Sequence, residues 1–407
     1  MIIGIPSEIK TGEKRVALAP ANVQSLCKKG VDILVQSGAG VSAGYPDAEY
    51  INAGATLVDS REKIFSDAEI VLQVQSFGAN NENSDSDLKL LRQGHLVIGM
   101  MDPLAAPQAA QTVATTGATA IALELVPRIS RAQSMDVLSS MATLAGYKSV
   151  LMGASASPRI FPMLMTAAGT LQPARVLIMG VGVAGLQACA TAKRLGAVVE
   201  AYDVRPAARE QIISVGAKPV ELDLDTGESE GEGGYAKEQG DDFLQRQREQ
   251  MTAVVAVQDI IITTAAIPGA KSPILVTEDM VKAMKPGAVI VDLAAERGGN
   301  CDLTQQGKTI TAHGVTIIGP ENVPSELAYH ASQMYGKNMQ TLLELILDDN
   351  GNLHLNFDDE IVAGTVVAHQ NDVPHAHMRK LLGLGEISVA ESAEQEKAED
   401  TPTTDQK

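Results

Sequence analysis

The sequence predicts an α/β chain built from two doubly wound parallel-sheet domains, separated by a cleft and joined by long bridging helices. Three observations carry this. Short apolar runs alternate with helical stretches through the first 125 or so residues, the pattern of strands buried under helices on both faces. Val176 to Asp203 reads strand, Gly180-x-Gly182-x-x-Gly185, helix, strand, acid, which makes this region Rossmann-like. Between these regions a long helical pattern from about Ser134 to Met152, interrupted by small and polar residues, has the length to cross from one domain to the other.

In chain order, Met1 to Ile5 is a strand, Pro20 to Lys29 a helix and Val31 to Gln36 a strand. Gly38-Ala39-Gly40 turns the chain into a helix from Asp47 to Ala53. Ile70 to Val74, Leu96 to Met100 and Ala118 to Leu125 are further strands, and Ala-rich Pro107 to Thr116 is helical. In the second domain, helices are expected over Ala207 to Ser214 and Asp242 to Val255. Strands are expected over Ile260 to Thr263 and Ala288 to Leu293, with Val315 to Gly319 the last. From Ser325 a helix of about seven turns leads back to the first domain. The expected division is 1–133 plus 326–384 for the N-terminal domain and 134–325 for the nucleotide-binding domain. Within the latter, about 222–241 is acidic and glycine-rich, with Tyr235 after Gly233-Gly234, and reads as a mobile loop. Residues 385–407 are acidic, aperiodic and expected to be disordered.

The glycines have separable tasks. Gly180 lets the chain leave its strand sharply, Gly182 keeps Cβ out of the way of a pyrophosphate, and Gly185 lets helix and strand approach. The helix N-terminus, with Val181, Val183 and Ala184 around it, offers free N–H groups to phosphate. Asp203, roughly 20 residues on, is placed to accept bonds from a ribose. A carboxylate there repels a 2′-phosphate, so NAD(H) is expected over NADP(H), an expectation that the nearby Arg205 weakens.

Composition excludes several classes. A net charge of −18 over 407 residues argues against nucleic acid and anionic lipid as partners. No apolar run is long enough to span a membrane, so no direct membrane insertion is expected. Three scattered cysteines fit a reducing compartment, and no His, Cys or carboxylate spacing calls for a metal. The start, MIIGIPSEIK, has no charged-then-apolar leader, which points to the cytoplasm.

The stretches GIPSEIKTGEKRVALAP, RISRAQSMDVLSSM, MGVGVAGLQA, AYDVRP, GGYAKE, ITTAAIPG and VDLAAERGGN resemble the soluble NAD(H)-binding subunit of the proton-translocating nicotinamide nucleotide transhydrogenases, relatives of alanine dehydrogenase. The resemblance implies direct hydride transfer between NADH here and NADP⁺ on a partner subunit, coupled to proton translocation by a membrane-spanning subunit. It also implies a homodimer, held peripherally at the cytoplasmic face of the inner membrane through its partners. By the same resemblance Arg128, Ile129, Gln133, Asp136 and Ser139 would hold the nicotinamide and its ribose, with Arg128, Gln133, Asp136, Ser139 and Tyr235 serving the transfer. Asp203, Val204 and Arg205 would bind the adenosine half. Gly234 and Tyr235 would sit on the closing loop, and Ala265, Ala266 and Pro268 would line the cleft.

The alternative is an alanine dehydrogenase-like, NAD-dependent amino-acid dehydrogenase. Its chemistry needs a general acid/base and a cation for the substrate carboxylate. At the positions where alanine dehydrogenases place Lys, His and Asp, this chain has Gln75, Asp102 and Glu296, although Arg15 is retained. Exchange of hydride between two nicotinamides needs close alignment and exclusion of water, and no proton donor at the rings.

Overall fold

A computed structural model describes residues 1–222, 241–348 and 350–385. The loop carrying Gly234 and Tyr235 and the acidic tail beyond Gly385 lie outside the described residues.

Two seven-stranded sheets organise the chain. The first takes β1 (Ile2–Ile5), β2 (Asp32–Gln36), β3 (Thr56–Val58), β4 (Ile70–Gln75), β5 (Leu96–Met100) and β6 (Thr119–Ala122). An exposed antiparallel pair follows, β7 (Leu164–Thr166) with β8 (Gly169–Leu171). The second sheet takes β9 (Arg175–Met179), β10 (Val198–Tyr202), β11 (Lys218–Pro219), β12 (Ile260–Thr263), β13 (Val289–Asp292), β14 (Lys308–Ala312) and β15 (Val315–Gly319). Finally β16 (Val366–Ala368) returns to the first sheet. The orders are β16-β6-β5-β4-β1-β2-β3 and β11-β10-β9-β12-β13-β15-β14. Every pairing within the sheets is parallel except β16 with β6 and β14 with β15, each at an edge. The central strands are apolar on both faces, and β4, β5, β6, β12 and β13 are buried at every position, as strands covered by helices on both sides must be.

Three sequence expectations need correction. Val315–Gly319 is not the last strand, since β16 follows it; three residues are too short a run to register as a period. The bridging helix runs Val137–Ala156, because Asp136 caps it by accepting a bond from the Ser139 N–H (2.8 Å). Ser134 lies before it in the 3-10 turn Ser130–Met135. The helix after Ser325 is a 3-10 turn, Val323–Leu327, followed by 19 residues of α-helix, Ala328–Ile346. It ends short because Asp348 Oδ1 accepts from the N–H groups of Asn350 and Asn352 (both 2.8 Å), a local turn that outcompetes another helical turn.

The bridging helix is glycine-thin where it crosses the second domain. A Cβ on Gly146 would lie 2.1 Å from the Ala184 carbonyl oxygen, and one on Gly153 would lie 3.1 Å from Ile260. No helix of the described residues is long and apolar enough to cross a membrane.

Candidate nucleotide-binding cleft

The strand order reverses between β9 and β12, and the crevice at the carboxyl ends of these two strands is where doubly wound sheets take ligands. Gly180 ends β9 in the left-handed region (φ 91°), and a Cβ there would lie 2.9 Å from the Ala265 N. A Cβ on Gly185 would lie 2.0 Å from the Gly180 carbonyl oxygen, so helix Val183–Arg194 starts against its own strand. Gly182 is different: nothing stands within 4 Å of where its Cβ would be. That open space lies at the first, unpaired N–H groups of the helix, and it fits a pyrophosphate. Val181 is buried, while Val183 is 41% exposed at the mouth.

Asp203 closes β10 and is already engaged. One oxygen accepts from the Val181 N–H (2.7 Å) and the other from the Arg205 N–H (2.9 Å), while the Arg205 guanidinium pairs with both oxygens. Val204 packs beside the core of this domain. The acid and the arginine therefore act as one unit tied to the glycine loop. Across the crevice Ala265 follows β12, with Ala266 and Pro268 beyond it, and Thr264 Oγ1 donates to the Gly180 carbonyl (2.8 Å).

A second cavity, about 380 Å³, opens at the start of the bridging helix and is lined by Pro127, Arg128, Ala132, Gln133, Asp136 and Ser139. Four of the residues singled out in the sequence thus share one space, with Ile129 half-buried behind them. Asp136 accepts from Ser139 twice, from its N–H and from its hydroxyl (2.6 Å), so the pair forms a fixed polar corner. Arg128 and Gln133 are exposed towards it.

Residues 4–145 match the family model of the alanine dehydrogenase/PNT N-terminal domain, and residues 149–376 match that of its C-terminal domain. The chain belongs to the alanine dehydrogenase/PNT family. It is 46% identical over 377 residues to an NAD(P) transhydrogenase subunit alpha chain of Rhodospirillum rubrum, covering 92% of this chain and 98% of that one. The alanine dehydrogenase of Bacillus subtilis is 32% identical over 332 residues, 80% of each chain. Among solved structures, the transhydrogenase from Sinorhizobium meliloti superimposes with a TM-score of 0.81 at 43% identity, covering 92% of this chain and all of that one (100%).

The two branches of the alanine dehydrogenase/PNT family differ at the carboxyl end of the first sheet. Here Arg15 is 2% exposed, and its guanidinium clasps Glu13 through Nε (2.7 Å) and Nη2 (2.6 Å), with Nη2 also donating to Asn322 Oδ1 (3.0 Å). Asn322 returns a bond to Glu13 (2.9 Å) and Gln75 adds one at 3.3 Å. Burial pushes the Glu13 carboxyl up, but the Arg15 cation and the hydrogen bonds outweigh it and hold the group at about 2. The retained arginine is neutralised and fully coordinated. Asp102, in the left-handed region (φ 48°), pairs across the cleft with Arg297, and Glu296 is exposed.

Sequence reasoning misses this cluster and two carboxyls beside it. Glu8 accepts from the Val74 and Gln75 N–H groups, and burial, with Glu13 close by, pushes it up to about 8. Glu124 accepts from the Met101 and Asp102 N–H groups through Oε1 (both 2.7 Å), and burial pushes it up to about 7. Its Oε2 is buried without a hydrogen-bond partner among the described residues. Only the motif GEKR holds a signal for any of these: an acid two residues before an arginine.

Proposed function

We propose that this chain is the NAD(H)-binding, catalytic alpha subunit of a proton-translocating NAD(P) transhydrogenase. Hydride passes directly between NAD(H) on this chain and NADP(H) on a partner subunit, coupled to proton translocation through a membrane-spanning subunit. The observation that carries the choice of branch is the Glu13–Arg15–Asn322 clasp. A dehydrogenase needs a free cation for its substrate carboxylate and a proton shuttle, and here the cation is consumed internally while Gln75 and Asp102 stand where the shuttle would be.

The dinucleotide, when bound, supplies or accepts the hydride. Gly182 and the helix N-terminus take its pyrophosphate, and the Asp203–Arg205 unit holds the adenosine ribose, favouring a free 2′-hydroxyl. Arg128, Gln133 and the Asp136–Ser139 corner orient the nicotinamide end without donating a proton to it, which is what a transfer between two nicotinamide rings requires. Gly234 and Tyr235 belong to this proposal on the resemblance alone.

The exposed pair β7–β8 supports a homodimer: Met165 is 80% and Leu171 51% exposed, apolar side chains with no cover in a single copy. Partner subunits place the assembly at the cytoplasmic face of the inner membrane. The divisions 1–133 plus 326–384 and 134–325 are retained as the two working units of the subunit.

The deciding assay uses the pure chain with NAD⁺ and alanine, then with NADPH and an NAD analogue after adding the NADP(H)-binding partner. Reduction of the analogue only in the presence of the partner is expected. NADH formation from alanine by the chain alone would overturn the proposal.

A further inference from the structure

The face of the crevice opposite the glycine loop is held by a residue with no contact with that loop. At the carboxyl end of β13, Asp292 is wholly buried and accepts five bonds. They come from the Thr263 hydroxyl (2.9 Å), the Ala294 N–H (3.0 Å), the Asn300 N–H (2.8 Å), the Cys301 N–H (3.1 Å) and the Thr304 hydroxyl (2.6 Å). Two consecutive left-handed glycines, Gly298 (φ 91°) and Gly299 (φ 80°), turn the chain back so that Asn300 reaches this carboxylate. A Cβ on Gly299 would stand 2.9 Å from the Asp292 Oδ2, so the return is built for glycine.

The Asn300 side chain, also wholly buried, then points at the neighbouring strand end. Its Oδ1 accepts from the Ala265 N–H (3.0 Å), and its Nδ2 donates to the Ala265 carbonyl (2.8 Å) and to the Pro273 carbonyl (2.8 Å). The carboxamide thus grips both polar groups of one residue as a strand neighbour would, just where β12 has ended and no strand is left to do so. Ala265 is the residue whose N lies against Gly180, so its place sets the width of the crevice.

We propose that Asn300 is a positioning residue for the nucleotide, fixing the Ala265 backbone opposite Gly180 so that the crevice is preformed before binding. The proposal rests on the reading above that Ala265 lines the nucleotide cleft. A preformed wall lowers the ordering that binding must otherwise impose, so its loss appears in affinity more than in turnover.

The test is NADH titration of the intact chain, followed by transhydrogenation with the NADP(H)-binding partner. Asn300→Asp keeps size and the acceptor for Ala265 N–H but sets an oxygen against two carbonyls. It should raise Kd and KM for NADH about tenfold, while kcat at saturating NADH falls less than threefold. Thr277→Ala removes the cap of helix Glu278–Ala283 in the same domain, and should lower the melting temperature with Kd unchanged. Asn300→Ser serves by the same criterion if Asn300→Asp does not fold. Parental NADH affinity in the Asn300 variant, or an equal loss in Thr277→Ala, would overturn the positioning role. Ala265→Val separates the two claims. If it weakens NADH binding and Asn300→Asp does not, only the positioning role is lost; if neither variant does, Ala265 does not line the nucleotide site.

Discussion

The two sheets carry the same architecture and opposite carboxyl-end crevices. In the second sheet the crevice is walled by backbone: glycines, helix N–H groups and the Ala265 peptide, with empty space above Gly182. In the first sheet it is filled by its own charges, with Arg15, Glu13, Asn322 and Gln75 satisfying one another. A fold does not choose chemistry, and here one sheet end keeps its donors free while the other spends them. The difference separates a protein that holds one reactant and awaits a second on another chain from one that holds both.

The largest expected effect tests the filled crevice. Arg15→Leu leaves the Glu13 carboxylate buried without its cation and should cost about 3–5 kcal/mol in denaturant unfolding. A loss under about 1 kcal/mol would mean that the pair is as dispensable as a surface one.

Next comes pH. The Glu124 carboxyl sits at about 7 in the fold against 4.5 in the free side chain. Between those values the folded chain keeps a proton that the unfolded chain has released, so this group's contribution weakens as pH rises through that window. Glu124→Gln should match its parent near pH 4.5 and exceed it at pH 8 by about 2–3 kcal/mol, following about 1.4 kcal/mol per pH unit. Glu8 works in the same direction, so the comparison must be variant against parent at each pH.

The open crevice predicts smaller and purely functional changes. Gly182→Ala meets no neighbour and has an ordinary φ of −77°, so its melting temperature should equal the parent's, while NADH affinity falls about tenfold, or about 1.4 kcal/mol. Unchanged affinity would remove the pyrophosphate from this position. Smallest is Asp203→Asn, expected to weaken NADH about threefold and narrow the preference against NADPH, because Arg205 then loses its counter-charge and turns towards a 2′-phosphate. Equal discrimination in variant and parent would refute that role.

The legible regions of the molecule are those whose physics is local. Three glycines and an acid at fixed spacing announce the second crevice, since strand, turn and helix N-terminus are neighbours in sequence. The Asp136–Ser139 corner spans three residues and is equally accessible. Asn300 falls within a recognisable motif yet does not stand out in it, because the backbone it grips lies 35 residues away. The neutralisation of Arg15 needs Asn322, 307 residues on, before a loop arginine can be recognised as closed to substrate. The strands β14 and β16 sit at sheet edges, where short segments and antiparallel pairing leave little periodicity to read.

Gly146 gives the bridging helix a second identity, that of a ruler. Its backbone rests on Ala184 beside the pyrophosphate-binding turn, while Ser139, on the same unbroken helix, belongs to the corner at the nicotinamide end. Seven residues at 1.5 Å each set these two stations about 10 Å apart along one rigid rod. Domain rotation can then change how the first sheet approaches the reactant, while the span between the two grips stays calibrated to a single length of dinucleotide.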